Sequence, residues 1–204
     1  IQGIPFYVDE RVIVPRSFIG EILTGDISFA GIEDTDSVGS VLDLCTGSGC
    51  LAIIAARLFE KAQVDAVDLS ADALEVAAVN VRDHRLEGRV HLHRGDLFAP
   101  VARKKYDLII TNPPYVRDAV VAAFPPEHRH EPVMAHAGGT DGMDLVRKII
   151  RQSPTHLKPG GGLICEVGTG REILEAEFPG LPFLWLDTEH SSGEVFWLAA
   201  KDMR

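Results

Sequence analysis

A strand, a glycine turn and a helix follow one another in the first quarter of the sequence, and this unit constrains the fold most strongly. Residues 41–45 form an apolar run that predicts a buried strand. The turn at residues 46–49 contains two glycines, and residues 50–58 have the composition of a helix. Glycines permit positive φ and close approach of a ligand, and a helix N-terminus presents free amide groups. The unit is therefore typical of the opening of a nucleotide-binding α/β domain.

Strands and helices alternate along the rest of the sequence. Apolar or alternating runs predict strands at residues 64–68, 89–94, 106–110, 162–167, 182–186 and 194–200, with helices at residues 71–82, 141–150 and 171–177. Residues 158–161 predict a turn. This alternation predicts a seven-stranded, mostly parallel sheet with helices on both faces. The last strand follows its predecessor after a short loop, so we expect it to run antiparallel.

The first 39 residues predict a small unit that precedes the sheet. Residues 6–8 and 12–14 are rich in β-forming side chains and flank a polar turn, which predicts a short β-hairpin. Ser17 is placed to cap a short helix that runs through Leu23. A polar, glycine-containing connection follows. We therefore expect a hairpin, helix and linker at residues 1–39 and the main domain at residues 40–204.

Two acids end predicted strands at the sheet edge where ligands bind in open α/β folds. Asp68 follows the second strand of the domain, where a carboxylate can accept hydrogen bonds from both ribose hydroxyls. Asp96 follows the third strand and is placed to accept from the exocyclic amine of an adenine, with Leu97 or Phe98 against the ring. Asp68 also precedes a helix start at Ser70, so a purely structural role near that N-terminus remains an alternative.

The sequence Asn-Pro-Pro-Tyr at residues 112–115 follows the buried strand at residues 106–110. Two prolines remove two backbone donors, so regular structure stops there and Asn112 is biased towards an extended conformation. Its side-chain oxygen and the Pro113 carbonyl are two acceptors suited to a planar substrate NH2 group. Tyr115 adds an aromatic face for that group or for a sulfonium cation. The structural alternative is a proline turn after a core strand.

Composition narrows the classes of partner. Twenty Lys and Arg against thirty Asp and Glu give a net charge of −10, which argues against gripping a nucleic-acid backbone and is compatible with a basic protein partner. No apolar run approaches the length of a membrane span. Three sparse cysteines favour free thiols in a reducing cytoplasm. His91 and His93 share a strand face without an evident third ligand, so no metal site is predicted. The irregular stretch at residues 116–140 predicts a functional lid or a disordered loop.

Together, the glycine turn, Asp68 and residues 112–115 resemble the class I S-adenosylmethionine-dependent methyltransferases. The Asn-Pro-Pro-Tyr sequence is similar to that of enzymes that methylate planar amino groups, either adenines in nucleic acids or glutamines in proteins. Residues 6–17, Arg-His-Glu-Pro at 129–132 and the glycine-rich run at 138–145 resemble the protein-(glutamine-N(5)) methyltransferases. That family modifies peptide-chain release factors and a large-subunit ribosomal protein. The sequences of the hairpin and of the glycine turn are more similar to the ribosomal-protein branch.

The resemblance implies S-adenosylmethionine as cofactor, S-adenosylhomocysteine as product, and a set of site residues. The catalytic residues it implies are Asn112, Pro113 and Tyr115. The cofactor-binding residues are Asp43, Cys45, Thr46, Gly47, Ser48, Gly49, Asp68, Leu69, Asp96, Leu97 and Asn112. The substrate-binding residues are Phe6, Arg16, Asn112, Pro113, Pro114 and Tyr115. On the residues alone, a surface salt bridge is the simpler interpretation of Arg16.

We therefore predict a cytoplasmic enzyme that methylates a glutamine of a ribosomal protein or release factor, without direct contact to nucleic acid or membrane. A nucleic-acid adenine methyltransferase is the first alternative, but it would have to grip and flip a base. A nicotinamide oxidoreductase would use the same glycine turn and acid, and would leave residues 112–115 unexplained. A third alternative is a cofactor-binding domain that is inactive without an N-terminal helical domain. Family members usually carry such a domain before the hairpin, whereas this sequence begins at the hairpin.

Overall fold

The computed structural model describes residues 1–124 and 131–203, and within them a seven-stranded sheet is flanked by helices. The strands are β1 Ser40–Leu44, β2 Gln63–Asp68, β3 Val90–Arg94, β4 Tyr106–Thr111, β5 Leu157–Glu166, β6 Leu184–Leu186 and β7 Val195–Ala199. The helices are α1 Ile19–Thr24, α2 Cys50–Leu58, α3 Ala71–Asp83, α4 Asp118–Ala122, α5 Asp144–His156 and α6 Arg171–Glu177. Short 3-10 turns cover Ser28–Ala30, Thr35–Ser37, Ala99–Val101, Val133–Ala135 and Ala200–Asp202.

The strands lie in the order β3-β2-β1-β4-β5-β7-β6. All neighbouring pairs are parallel except those of β7, which runs antiparallel to both β5 and β6. The predicted fold class is therefore confirmed, including the antiparallel last strand. The order reverses between β1 and β4, and in doubly wound sheets this switch point is where ligands bind at the carboxyl ends of the strands.

The core lies in two layers, one on each face of the sheet. Val41 packs with Leu108 in the layer that contains α1 and α2, whereas Leu42 packs with Ile109 in the layer that contains α5 and α6. This alternation is the two-residue period of a strand. Because both faces are covered, β1 and β4 are almost continuously apolar, and this explains why the sequence predicted them well.

The predicted hairpin at residues 6–14 is wrong. The polar turn exists, since the Val12 amide donates to the Asp9 carbonyl, but the flanking residues do not pair and no strand is formed there. Tyr7 instead exchanges hydrogen bonds with Asn80 on α3, and Val12 packs on Ala73 of the same helix. The β-forming side chains are therefore satisfied by packing on α3 rather than by a partner strand.

Other element boundaries also differ from prediction. Helix α1 begins at Ile19 rather than directly after Ser17, whose hydroxyl accepts from the Ile19 amide and donates to Glu166. Residues 158–161, predicted as a turn, belong to β5, where a register shift lies opposite Tyr106 and Leu108. The stretch predicted as irregular contains α4 and a 3-10 turn at residues 133–135. Residues 125–130 of that stretch lie outside the described residues.

Candidate active site

A pocket opens at the carboxyl edge of the sheet, at the switch point between β1 and β4. It encloses about 800 Å³, a volume that includes its open mouth. Its wall is drawn from the ends of β1 to β4 and from two segments outside the sheet. Several residues that the sequence predicted for the site line this pocket: Cys45, Gly47, Asp68, Leu69, Asp96, Leu97, Asn112 and Pro114.

The glycine turn forms one end of this pocket. Gly47 has φ +55°, and a Cβ built there would meet no atom within 4 Å, so its surface faces open space. Gly49 has φ +79°, and a Cβ there would lie 3.2 Å from the Ala77 Cβ. The second glycine thus lets α3 pack closely against the turn, while the first leaves room for a ligand.

Asp43 lies beneath the turn and is fully buried. Its Oδ2 accepts hydrogen bonds from the Thr46 hydroxyl and the Ala52 amide, which fixes the turn to the start of α2. Burial raises the pKa of Asp43 to about 7, despite these two donors. Among the predicted cofactor-binding residues, Asp43, Thr46, Ser48 and Gly49 do not line the pocket. These four residues support the glycine turn without lining the pocket.

The two acids at strand ends both reach the pocket. Asp68 accepts the Gly47 amide at 2.8 Å through Oδ2 and the Ser70 amide at 2.9 Å through Oδ1. Burial raises the pKa of Asp68, while these backbone donors oppose the rise. Asp96 is exposed and also lines the pocket. Both carboxylates therefore lie in the pocket wall, as the sequence predicted. The structural alternative for Asp68 also holds in part, because Asp68 accepts the Ser70 amide at the start of α3.

Two residues of the pocket wall have left-handed backbone conformations. Cys45 has φ +57° and Leu97 has φ +45°, and each directly follows or lies near the end of a strand. Non-glycine residues in this region are uncommon and cluster at functional sites. No sequence pattern predicted this backbone conformation, because neither cysteine nor leucine favours it.

Asn112 lies in the pocket wall where β4 ends. Its side chain is half-buried and makes no hydrogen bond to the described residues. Pro113 is buried behind it, and Pro114 lines the pocket. An amide held on a stiff loop without a protein partner has its acceptor and donor groups available to a ligand.

Tyr115 is anchored rather than free. Its hydroxyl donates to Glu166 Oε1 at 2.9 Å, and burial followed by the charge of Glu166 raises its pKa well above the ordinary value. A Cβ built on Gly168 would lie 2.7 Å from the Tyr115 ring, and one built on Gly142 would overlap the Tyr115 carbonyl oxygen. The glycines of the 138–142 run thus let the chain pack on the backbone of the Asn-Pro-Pro-Tyr loop.

Two residues that organise the site escaped the sequence analysis. Glu166 accepts from the Tyr115 hydroxyl, the Ser17 hydroxyl and the Phe18 amide. Asn80, which is 1% exposed, donates to the carbonyls of Tyr7 and Ser48 and accepts from the Tyr7 amide. The one available signal was a polar side chain in an otherwise apolar run.

The segment at residues 7–18, here called the N-terminal strap, forms a further wall. Arg11, Val12 and Ile13 of the strap line the pocket, as do Pro132, Met134 and Ala135. Glu131 joins these two walls, because its carboxylate accepts from the Val14 amide and the Arg16 guanidinium, each at 3.1 Å. Burial would raise the pKa of Glu131, but these two donors outweigh it and hold the pKa below its ordinary value.

The two predicted substrate residues of the strap region lie outside the pocket lining. Arg16 is exposed and forms the salt bridge with Glu131 that the simpler interpretation predicted. Phe6 packs against the His84 ring with centroids 5.3 Å apart, on the α3 side of the strap. A direct part for either residue in substrate binding stays a prediction.

Two other kinds of feature are absent from the described part of the chain. Residues 1–124 and 131–203 contain no group of three or more His, Cys, Asp or Glu that could hold a metal ion. No helix in this part of the chain is long and apolar enough to cross a membrane.

Comparison with known proteins identifies relatives of the whole chain. The family model described as "Methyltransferase small domain" matches residues 30–124. The ribosomal protein uL3 glutamine methyltransferase of Bradyrhizobium diazoefficiens is 61% identical over 210 residues, covering 100% of this chain and 65% of the relative. The protein of the same name from Burkholderia pseudomallei is 51% identical, covering 100% of this chain and 68% of the relative. The chain thus spans about two thirds of the length of the curated relatives it matches.

Solved structures share the fold at low sequence identity. The N-terminal domain of human METTL16 in complex with SAH has a TM-score of 0.62 at 15% identity, covering 97% of this chain and 75% of that one. A methyltransferase from Pyrococcus furiosus has a TM-score of 0.59 at 18% identity, covering 79% of this chain and 74% of that one. These likenesses establish the class I methyltransferase fold.

Proposed function

The chain belongs to the family of ribosomal protein uL3 glutamine methyltransferases, and from this membership we propose that it methylates the side-chain amide nitrogen of a glutamine in ribosomal protein uL3. The methyl donor in this proposal is S-adenosylmethionine. The observation that carries it is the Asn112 amide, which lies unpaired among the described residues in the pocket that Asp68 and Asp96 also line. The cytoplasm, where ribosomes are made and used, is the compartment this substrate implies.

The pocket fits S-adenosylmethionine by the chemistry of its walls. Asp68 is placed to accept from the ribose hydroxyls, since each of its oxygens has a lone pair left after bonding one amide. Asp96 and Leu97 would hold the adenine, and Gly47 leaves open space beside the turn. Asn112 stands on the wall formed by β4. When bound, the cofactor supplies an electrophilic methyl group on a sulfonium.

The residues of the loop then act by binding and orienting the substrate amide. In this proposal the Asn112 side-chain oxygen and the Pro113 carbonyl accept its two N–H groups. Holding both hydrogens away from the amide plane would let the nitrogen rehybridise, so that its lone pair leaves conjugation with the carbonyl. The loop residues would present this lone pair to the methyl group that the cofactor supplies, and the acidic proton of the methylated product would pass to water. Catalysis of this kind rests on positioning and electrostatics.

Methyl transfer from labelled S-adenosylmethionine tests the proposal. Purified uL3 and a purified peptide-chain release factor are each incubated with the wild-type chain and with Asn112→Ala, and peptide mass spectrometry locates the label. We expect label on a glutamine of uL3 and a rate lower by roughly 10²–10³ in the variant, the loss typical of removing one preorganised polar group. Gln63→Ala is the matched control. Gln63 carries an exposed side-chain amide and begins β2, at the end of that strand away from Asp68 and the pocket.

Three outcomes contradict parts of the proposal. Label on the release factor alone would move the substrate to the other branch of the family. Label on a nucleic-acid adenine, tested in parallel, would replace protein by nucleic acid as substrate. Cofactor binding without label on any of the three would contradict methyl transfer by residues 1–204 on their own.

A further inference from the structure

Glu166, the last residue of β5, is a buried acid outside the pocket. Its side chain is 2% exposed, and it is not among the residues that line the site. Burial of a carboxylate is costly unless the surrounding groups satisfy it. The way this carboxylate is satisfied is therefore informative about what it holds in place.

Three neutral donors share its two oxygens. Oε1 accepts from the Tyr115 hydroxyl at 2.9 Å, and Oε2 accepts from the Ser17 hydroxyl at 2.7 Å and the Phe18 amide at 3.0 Å. Burial raises the pKa of Glu166 above its ordinary value, while these donors oppose the rise. No salt bridge to Glu166 occurs within residues 1–124 and 131–203. The carboxylate thus acts as a junction between hydrogen-bond donors rather than as half of an ion pair.

The donors come from two different walls of the pocket. Tyr115 ends the Asn-Pro-Pro-Tyr loop, and only two prolines separate it from Asn112. Ser17 and Phe18 end the N-terminal strap, whose Val12 and Ile13 line the pocket. These segments lie 51 and 149 positions away from Glu166 in sequence, so the junction exists only in the folded chain.

Close contacts with three glycines restrict Tyr115 in addition to its hydrogen bond with Glu166. Its ring lies against Gly168, which has φ +51° and no room for a Cβ. Its backbone lies against Gly138 and Gly142, where a Cβ would collide with Tyr115 atoms. The hydroxyl bond to Glu166 is the polar constraint that fixes the ring along its long axis, and through the stiff prolines it fixes Asn112.

We propose that Glu166 is a positioning residue that orients the substrate-amide site through Tyr115 and joins this site to the N-terminal strap. The proposal deepens the proposed function and rests on it. Glu166 touches neither the cofactor pocket nor the substrate amide site directly. Its loss therefore affects the use of the protein substrate much more than cofactor binding, because Glu166 makes no hydrogen bond to Asp68, Asp96 or Leu97.

Glu166→Gln is the sharpest substitution, because it changes the shape of the side chain very little. A glutamine has one acceptor oxygen and one NH2 donor group. With donors facing both ends of the side chain, its NH2 must point at either the Tyr115 hydroxyl or the Ser17 and Phe18 pair. The Phe18 amide can only donate, so the glutamine oxygen stays on the Ser17 and Phe18 side, and the Tyr115 hydroxyl must turn to accept from the NH2 group. The bond between the Tyr115 hydroxyl and a carboxylate is thereby replaced by a weaker neutral one. Glu194→Gln is the matched control, since Glu194 is a nearby acid that makes no hydrogen bond to Glu166.

Steady-state kinetics with uL3 and calorimetry with S-adenosylhomocysteine give the first readouts. For Glu166→Gln we expect kcat to fall about tenfold, KM for the protein substrate to rise three- to tenfold, and the cofactor Kd to change less than twofold. Glu194→Gln should leave all three within twofold. Tyr115→Phe added to Glu166→Gln should lower kcat less than it does in the wild type, because both changes break the same bond. Equal losses of kcat and cofactor affinity, or full additivity of the two changes, would overturn the proposal.

Hydrogen–deuterium exchange supplies a readout that does not need a working assay. In Glu166→Gln, amides of residues 115–118 and of residues 12–18 should exchange faster, while those of the glycine turn at 46–49 stay unchanged. This result would support the junction even if the wild-type chain methylates neither protein, so the two failures remain distinguishable. Faster exchange over the whole sheet, or in neither wall, would show that Glu166 is a general core residue and would overturn the proposal.

Discussion

The two sides of the pocket are held together in different ways. On the cofactor side, Asp43 and Asp68 bind backbone and hydroxyl groups that lie 2 to 21 positions away, all within one strand–helix–strand unit. On the substrate side, Glu131 and Glu166 accept hydrogen bonds from groups that lie 51 to 149 positions away, in addition to the local contact between Glu131 and His136. The first side is a local motif, and the second is an assembly of distant segments.

This difference has an energetic consequence. A local motif is ordered at little cost in chain entropy beyond the turn itself, whereas distant segments must be brought together by the whole fold. The cofactor side should therefore tolerate changes elsewhere and respond mainly in cofactor affinity. The substrate side should respond to single changes in its junctions, and in catalytic parameters before cofactor affinity.

The largest effect is expected from Gly142→Ala, which tests how tightly the substrate side is packed. Gly142 has φ +87°, and a Cβ there overlaps the carbonyl oxygen of Tyr115. We expect the free energy of unfolding to fall by about 3 kcal/mol, measured by urea denaturation. Gly160→Ala is the matched control, because Gly160 has φ +85° but no atom within 4 Å of its Cβ. That change should cost only the backbone term of about 1 kcal/mol, and equal losses in the two variants would mean that the packing contributes nothing.

The pH dependence of stability sharpens the comparison on the cofactor side. Burial raises the pKa of Asp43 to about 7 in the folded chain, so its protonated form is favoured by folding. The stabilisation is present in full at low pH and is lost as pH rises towards 7. Between pH 5 and pH 7, the free energy of unfolding of the wild type should fall by about 2 kcal/mol more than that of Asp43→Asn. Parallel pH profiles of the two proteins in urea denaturation would contradict this expectation.

Asp68→Asn tests whether the cofactor side responds in affinity alone. The substitution removes the charge that accepts the Gly47 and Ser70 amides, and we expect S-adenosylhomocysteine to bind about tenfold more weakly by calorimetry. At saturating cofactor, kcat should be nearly unchanged. Asp72→Asn removes the same charge from an exposed position in the first turn of α3 and serves as control. A large fall in kcat at saturation would show that the two sides are not separable.

The smallest effect is expected from Arg16→Ala. Arg16 is exposed and its bond to Glu131 is a surface salt bridge, so the free energy of unfolding should change by less than about 0.5 kcal/mol. Glu131→Ala should cost more, because it also removes the acceptor of the Val14 amide. A rise in KM for the protein substrate without a change in stability would assign Arg16 to substrate binding. A change in neither quantity would leave it a surface residue.

What the sequence predicted follows the same division. The apolar runs of β1 and β4, the glycines at 47 and 49, and the acids at 68 and 96 are local patterns with a known structural meaning, and they gave the fold and the cofactor side. The Asn-Pro-Pro-Tyr loop was found for the same reason. The sequence predicted that the residues of the glycine turn contact the cofactor. In the structure Gly47 lines the pocket, whereas Thr46, Ser48 and Gly49 support the turn.

The substrate side was predicted poorly because its interactions are not periodic. A β-rich stretch flanking a turn predicts a hairpin when no partner is known, whereas here α3 offers Asn80 as a partner for Tyr7. Glu166 lies at the end of an apolar strand and gives no pattern that distinguishes a junction from a surface acid. Such residues are recognised only from the donors that surround them.

The position of β7 has a consequence for how the chain is made. β7 follows β6 in the chain but lies between β5 and β6 in the sheet, and in the described part of the chain β6 has no other strand partner. During synthesis residues emerge in order, so β5 keeps an open edge until residues 195–199 have left the ribosome. An open apolar edge is a template for pairing between chains. A nascent or truncated product that stops before residue 195 is therefore the form most exposed to aggregation and to proteolysis.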